Sequence, residues 1–116
     1  MKVALAGAGA FGVKHIEGIK NIDDVEVLSV VGRELEATQA TADKYGIKHV
    51  TTDLADSLAL PEVDAVILCT PTSMHAAQAL QCMQAGKHVQ VEIPLADSFA
   101  DAQAVADMQL ETGLVC

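Results

Sequence analysis

The sequence predicts an α/β domain built on a doubly wound parallel sheet. Three observations predict it. Short apolar runs alternate with amphipathic stretches along the whole chain, the pattern of right-handed βαβ crossovers. The runs are continuously apolar, as strands covered on both faces are. The 116 residues, 51% apolar and 20% charged, suffice for one core but not for two domains.

The elements follow in order. Lys2–Gly7 reads as a first buried strand. A glycine-rich turn leads into a helix from about Ala10 to Lys20, with Phe11, Ile16 and Ile19 as candidates for its inner face. Asn21–Asp24 is a polar break before a second strand, Val25–Val31. Glu34–Tyr45 reads as a second helix with Gly46 as its C-cap. Lys48–Val50 is a short third strand, and Thr51-Thr52-Asp53 caps a weak helix through about Leu60. Asp64–Cys69 is a fourth strand, the most apolar segment of the chain. The turn Thr70–Ser73 starts a helix from about Met74 to Ala85, closed by Gly86. Lys87–Val91 is a fifth strand, ended by Glu92-Ile93-Pro94. Ser98–Thr112 is a further helix, with Ser98 and Asp101 resembling a capping box and Gly113 as its stop. Leu114–Cys116 reads as the opening of a sixth strand, so the expectation is a sheet cut in or near that strand.

In such sheets ligands bind beyond the carboxyl ends of the strands. Gly7-Ala8-Gly9-Ala10-Phe11-Gly12 is GxGxxG between a predicted strand and a predicted helix, the context a dinucleotide-binding (Rossmann) turn requires. Gly7 permits the tight turn, Gly9 leaves room for a pyrophosphate, and Gly12 lets the helix approach the strand. The free N–H groups of Ala10, Phe11 and Gly12 are then expected to face phosphate. The competing reading is a glycine-rich turn without a ligand.

The second strand ends Val31-Gly32-Arg33. An NAD site usually carries an acid here, roughly 20 residues after the last glycine. This chain instead offers Gly32, which makes space, and Arg33, its only arginine, which can neutralise a 2′-phosphate through paired hydrogen bonds. NADP is therefore expected over NAD. The competing reading is a solvated surface arginine.

Thr70, Pro71 and Thr72 follow the fourth strand and are expected to line the nicotinamide half of the site. His75 stands in the first turn of the next helix, as a cofactor contact or as a packing histidine. Glu92 ends the fifth strand, where its carboxylate could hold a ribose hydroxyl or stand solvated. Cys69 invites a covalent thiolate mechanism, but no base or oxyanion group stands beside it in the sequence. His15 and His88 are expected to be structural and His49 exposed.

Acidic residues number 16 against 7 Lys and Arg, a net charge of −9. Nucleic acid and anionic membrane both demand clustered positive charge, so neither is an expected partner. No apolar run reaches the roughly 18 residues of a membrane span, and the Gly-interrupted N-terminus does not read as a signal peptide. The three cysteines match no metal motif, so no metal is expected, and reduced thiols fit a cytoplasmic location.

ALAGAGAFGVKH, CTPTSMH and AGKHVQVEIP, in this order, resemble the glucose–fructose oxidoreductase/inositol dehydrogenase family. The resemblance covers residues 1–116 as an NAD(P)-binding domain. It implies a second, substrate-binding domain beyond them, the usual site of homo-oligomer contacts. The chain alone is then expected to hold cofactor without turning over. The family usually has Glu-Lys-Pro where this chain has Glu92-Ile93-Pro94, and that Lys assists proton transfer. The departure, together with HVQVEIPLADSFADAQAV, resembles an NADP-dependent branch of aromatic degradation that oxidises the cyclic hemiacetal of a polycarboxylate semialdehyde. A hemiacetal hydroxyl is more acidic than a simple alcohol and depends less on a strong base. A polycarboxylate would be repelled by a charge of −9, so its cations are expected mainly beyond Cys116. A sugar or polyol dehydrogenase of the same family and a non-catalytic NADP-sensing module are the alternatives.

Overall fold

The computed structural model describes residues 1–116. Five strands, β1 (Lys2–Ala6), β2 (Glu26–Val31), β3 (His49–Thr51), β4 (Ala65–Leu68) and β5 (His88–Val91), form one parallel sheet in the order β3-β2-β1-β4-β5. The order reverses between β1 and β4, so that is the switch point where a crevice opens. The register aligns Ala6 with both Val31 and Leu68, and Leu68 with Val91. Gly7, Gly32, Cys69 and Glu92 are the next residues of those strands, so they share one edge of the sheet.

Side chains of β1 alternate between two cores. Val3 and Leu5 pack with Ile16 and Ile19 of α1 (Ala10–Ile19) and Ala42 of α2 (Leu35–Tyr45). Ala4 and Ala6 face the other layer, where Leu54 and Leu58 of α3 (Leu54–Leu58), Ala79, Cys82 and Met83 of α4 (Thr72–Gln84) and Val105 of α5 (Phe99–Thr112) pack against Val66 and Leu68. Full burial of a leucine such as Leu5 or Leu68 contributes roughly 1.5–3 kcal/mol. No helix is long and apolar enough to cross a membrane.

Caps set most of the boundaries. Asp53 accepts from the Ala55 N–H at 2.9 Å, and Gly46 and Gly113 close α2 and α5 in the left-handed region. Ser98 Oγ accepts from the Asp101 N–H at 3.1 Å, one half of a capping box. The other half is altered, because the Asp101 carboxylate accepts a hydrogen bond from the Ser98 hydroxyl instead of from the Ser98 backbone N–H.

Four expectations are corrected. Phe11 is 66% exposed, because Gly12, Ile16 and Ile19 form the buried stripe of α1 and Phe11 stands one residue out of phase. α4 starts at Thr72, two residues early, because the Pro71 carbonyl already accepts the Met74 N–H. His49 is half-buried, its Nδ1 bonded at 2.8 Å to Ser29 Oγ, which also bonds Ser57 Oγ inside the core. Leu114–Cys116 forms no strand; the Val115 carbonyl accepts the Val89 N–H at 2.9 Å, which places this segment against the free edge of β5.

Candidate cofactor-binding cleft

The turn after β1 is shaped by three glycines with three different constraints. Gly7 has φ +101°, and a Cβ there would lie 2.5 Å from the Cys69 carbonyl oxygen. A Cβ on Gly12 would lie 1.9 Å from the Gly7 carbonyl oxygen, so the first turn of α1 rests directly on the loop. A Cβ on Gly9 would meet no atom within 4 Å. Nothing in the protein requires glycine there; the space opens outward. The first helical bond of α1 is Val13 N–H to Gly9 C=O, and no side chain caps its N-terminus. The amides of Ala10, Phe11 and Gly12 are therefore left for an outside acceptor, with no acidic side chain in the first turn to compete.

A cleft of about 650 Å³ runs beside this turn. Gly7, Gly9, Arg33, Thr70 and Pro71 line it, as sequence reasoning expected of them. Ala8, Glu34, Ala37, Thr38, Thr41, Cys69 and Met74 also line it. The α2 members were missed, although a signal was there: positions 34, 37, 38 and 41 repeat at helical spacing and place one face of α2 along the cleft. Arg33 is exposed and makes no ion pair in the chain. Glu34, the N-cap of α2, stands next to it with its backbone still extended.

The other expected contacts lie elsewhere. Gly32 does not line the cleft: a Cβ there would lie 1.7 Å from Thr38 Oγ1, so its missing side chain admits α2 and does not make space for a ligand. Thr72 is half-buried at the start of α4, off the cleft wall. The Thr70 hydroxyl donates to Gln78 Oε1. His75 is 2% exposed, with Nδ1 at 2.8 Å from the Pro94 carbonyl oxygen and Nε2 at 2.7 Å from that of Thr70. Both ring nitrogens are committed inside the protein, so His75 ties the loop after β4 to the loop after β5. It presents nothing to a ligand. A neutral ring donates to only one of these carbonyls; a protonated ring donates to both.

Glu92 is half-buried, its Oε1 2.6 Å from His15 Nε2. Cys69 joins this pair, with ligand-type atoms of all three residues within 4.8 Å of one another. Cys69 thus has a base beside it, contrary to the sequence reading. Even so, burial first and the Glu92 charge second push its thiol up to about 11, the opposite of what an activated nucleophile needs.

Over residues 1–116 the sequence matches the family described as "Oxidoreductase family, NAD-binding Rossmann fold". The chain belongs to this oxidoreductase family. It is 65% identical, over all 116 residues, to the 4-carboxy-2-hydroxymuconate-6-semialdehyde dehydrogenase of Sphingobium sp. strain SYK-6, of which it spans 37%. The crystal structure of GenD2 from gentamicin A biosynthesis, in complex with NAD, superposes with a TM-score of 0.94 at 34% identity, over 99% of this chain and 33% of that one. The biliverdin reductase of Synechocystis sp. PCC 6803, in complex with biliverdin and NADP+, superposes with a TM-score of 0.91 at 27% identity, over 98% and 36%. The chain therefore spans about a third of the length of its relatives. It is the NAD(P)-binding Rossmann part of the family, and its neighbours bind NAD in one case and NADP in another.

Proposed function

We propose that this chain is the NADP-binding part of a cytoplasmic dehydrogenase of aromatic degradation. The whole enzyme would oxidise the cyclic hemiacetal of 4-carboxy-2-hydroxymuconate semialdehyde to 2-pyrone-4,6-dicarboxylate, a step of protocatechuate 4,5-cleavage. The identity of 65% along the whole chain supports the substrate class. The residues fit a dinucleotide: a turn open at Gly9, unfilled amides at Ala10, Phe11 and Gly12, and a cleft continuing to Arg33. These amides would hold the pyrophosphate. Thr70 and Pro71 would border the nicotinamide half of the cofactor. When bound, the nicotinamide supplies the hydride acceptor, and this chain's residues only bind and orient it.

Arg33 carries the choice of NADP. It is the chain's single arginine, it has no internal ion partner, and it lines the cleft where β2 ends. A guanidinium there pairs with a 2′-phosphate in two parallel hydrogen bonds. The test is titration of the chain with NADPH and with NADH. NADPH is expected to bind more tightly, and Arg33→Ala to weaken it by about 1–3 kcal/mol while leaving NADH nearly unchanged. Equal affinities in the unmodified chain would refute the NADP reading.

Glu34 supports a second reading. Its carboxylate lines the same cleft beside Arg33 and could accept from ribose hydroxyls, which favours NAD and repels a 2′-phosphate. Under that reading Glu34→Gln weakens NADH and strengthens NADPH. The substrate is tested on a protein carrying the remaining two-thirds, with the semialdehyde assayed against a panel of polyols. The polycarboxylate's cations and the homo-oligomer contact are assigned to that remainder.

A further inference from the structure

One cluster at the carboxyl edge of the sheet is not explained by dinucleotide binding. His15 comes from α1, Cys69 directly follows β4, and Glu92 directly follows β5. The backbone fixes two of them: the Cys69 N–H donates to the Ala6 carbonyl at 2.7 Å, and the Glu92 N–H to the Leu68 carbonyl at 3.0 Å. The third is held by the 2.6 Å bond from His15 Nε2 to Glu92 Oε1. All three residues are half-buried, and one imidazole nitrogen, one thiol sulfur and one carboxylate oxygen lie within 4.8 Å of one another.

We propose that His15, Cys69 and Glu92 form a binding site for one thiophilic divalent cation of the zinc class. Three protein ligands with a fourth position left to water is the composition of an open zinc site. The sulfur and imidazole donors select against magnesium and calcium, which take oxygen. Bonds of roughly 2.0–2.3 Å put tetrahedral donors roughly 3.3–3.8 Å apart. The widest separation, up to 4.8 Å, therefore has to close by about 1 Å, while the His15–Glu92 pair at 2.6 Å has to open by roughly 0.7 Å to admit the ion. A thiolate and a carboxylate would balance the charge of the ion.

The protons balance as well. The Cys69 thiol loses its proton to solvent as sulfur bonds the metal, so one proton is released per ion bound. The proton that Nε2 gives to the Glu92 bond moves to Nδ1 by exchange with solvent, so His15 coordinates as the neutral ring through Nε2 with no net change in its proton count. The unliganded thiol is not a thiolate, because burial and Glu92 hold it protonated; a cation in the cluster reverses that balance.

The experiment is a calorimetric titration of the 116-residue chain with Zn²⁺ in two buffers of different ionisation enthalpy, paired with Co²⁺ absorption spectra. One equivalent is expected to bind with release of about one proton, and Co²⁺ is expected to show a sulfur-to-metal charge-transfer band. Cys69→Ser is expected to abolish the band, and Cys69→Ser and His15→Gln each to weaken zinc at least about tenfold. Cys116→Ser, which removes the exposed C-terminal thiol, is expected to change neither. On the unmodified chain, zinc is expected to protect Cys69 from alkylation and to leave Cys116 reactive. That readout stands even where a variant fails to fold. No binding at millimolar zinc, affinity that survives Cys69→Ser, affinity lost with Cys116→Ser, or an unchanged alkylation rate of Cys69 would each overturn the proposal.

Discussion

The Gly7 carbonyl oxygen lies where a side chain on Gly12 would have to go, 1.9 Å from the Cβ position. The contact is backbone against backbone, so no side-chain rotation relieves it. Gly12→Ala must push α1 off the loop, at a cost of at least about 1–3 kcal/mol, typical of overpacking. Gly9 is the contrast: its Cβ position is empty and its φ of −77° suits alanine. Gly9→Ala is expected to cost less than about 1 kcal/mol in stability, the scale of an N-cap change. It is nevertheless expected to weaken dinucleotide binding, because the methyl projects into the open space. Urea unfolding and cofactor titration on both variants separate the two roles.

Gly32 and Thr38 make a second such pair, because the clash is with a side chain and is partly reversible. A Cβ on Gly32 would meet Thr38 Oγ1 at 1.7 Å and Thr38 Cγ2 at 2.8 Å. Gly32→Ala is expected to destabilise the chain, and Thr38→Ala to lose only the hydroxyl bond to the Glu34 carbonyl and some packing. In the double variant the obstructing oxygen is gone. The two costs should then fall short of additive, by about 0.5–3 kcal/mol in a double-mutant cycle. Full additivity would show that Gly32 is needed for something other than room for α2.

How much could be read without coordinates depended on how far apart the deciding groups are in sequence. The five strands, the long helices and the GxGxxG turn rest on local pattern and local steric need, and they stand within two residues of where the periodicity puts them. Phe11 was misplaced because an apolar residue beside the helical stripe cannot be told from one on it by composition alone. His75 could be read two ways because what settles it, the Pro94 carbonyl 19 residues away, is brought close only by the fold. The same holds for Glu92 and His15, which are 77 residues apart and meet only because the fold brings a side chain of α1 to the residue that follows β5. Gly32 was read as space for a ligand because no sequence pattern reports that Thr38 fills that space.

His75 ties two loops that border the candidate site. Its bonds to the Thr70 and Pro94 carbonyls are inside the protein, so water does not replace them when the ring is removed. His75→Ala is expected to cost roughly 3–5 kcal/mol, the range for truncating a buried ring. His75→Phe keeps the volume and removes the ring's N–H from between the Thr70 and Pro94 carbonyls, with an expected cost of about 1–3 kcal/mol. If dinucleotide affinity falls in the phenylalanine variant while it remains folded, the histidine acts on the cleft through the Thr70–Pro71 wall. An unchanged affinity would confine its role to stability.

Cys82 is fully buried in the α4 layer, and burial pushes its thiol up to about 12 from 9.0, with Cys69 raised to about 11. Below pH 9 the folded and unfolded chains both keep these protons, and the stabilising contribution is whole. Above it the unfolded chain releases protons that the folded chain retains. The unfolded state then binds fewer protons, and stability falls as pH rises through the window up to about 12. Other groups titrate in the same range, so the quantity to compare is the difference between the unmodified chain and Cys82→Ala. At neutral pH the variant is expected to be less stable by about 1 kcal/mol, the ordinary cost of a small core truncation. That deficit should shrink as urea midpoints are followed from about pH 8 to about pH 11, because the variant has no thiol at that site to lose a proton. A deficit that stays constant across this range would mean that Cys82 ionises as readily in the fold as outside it.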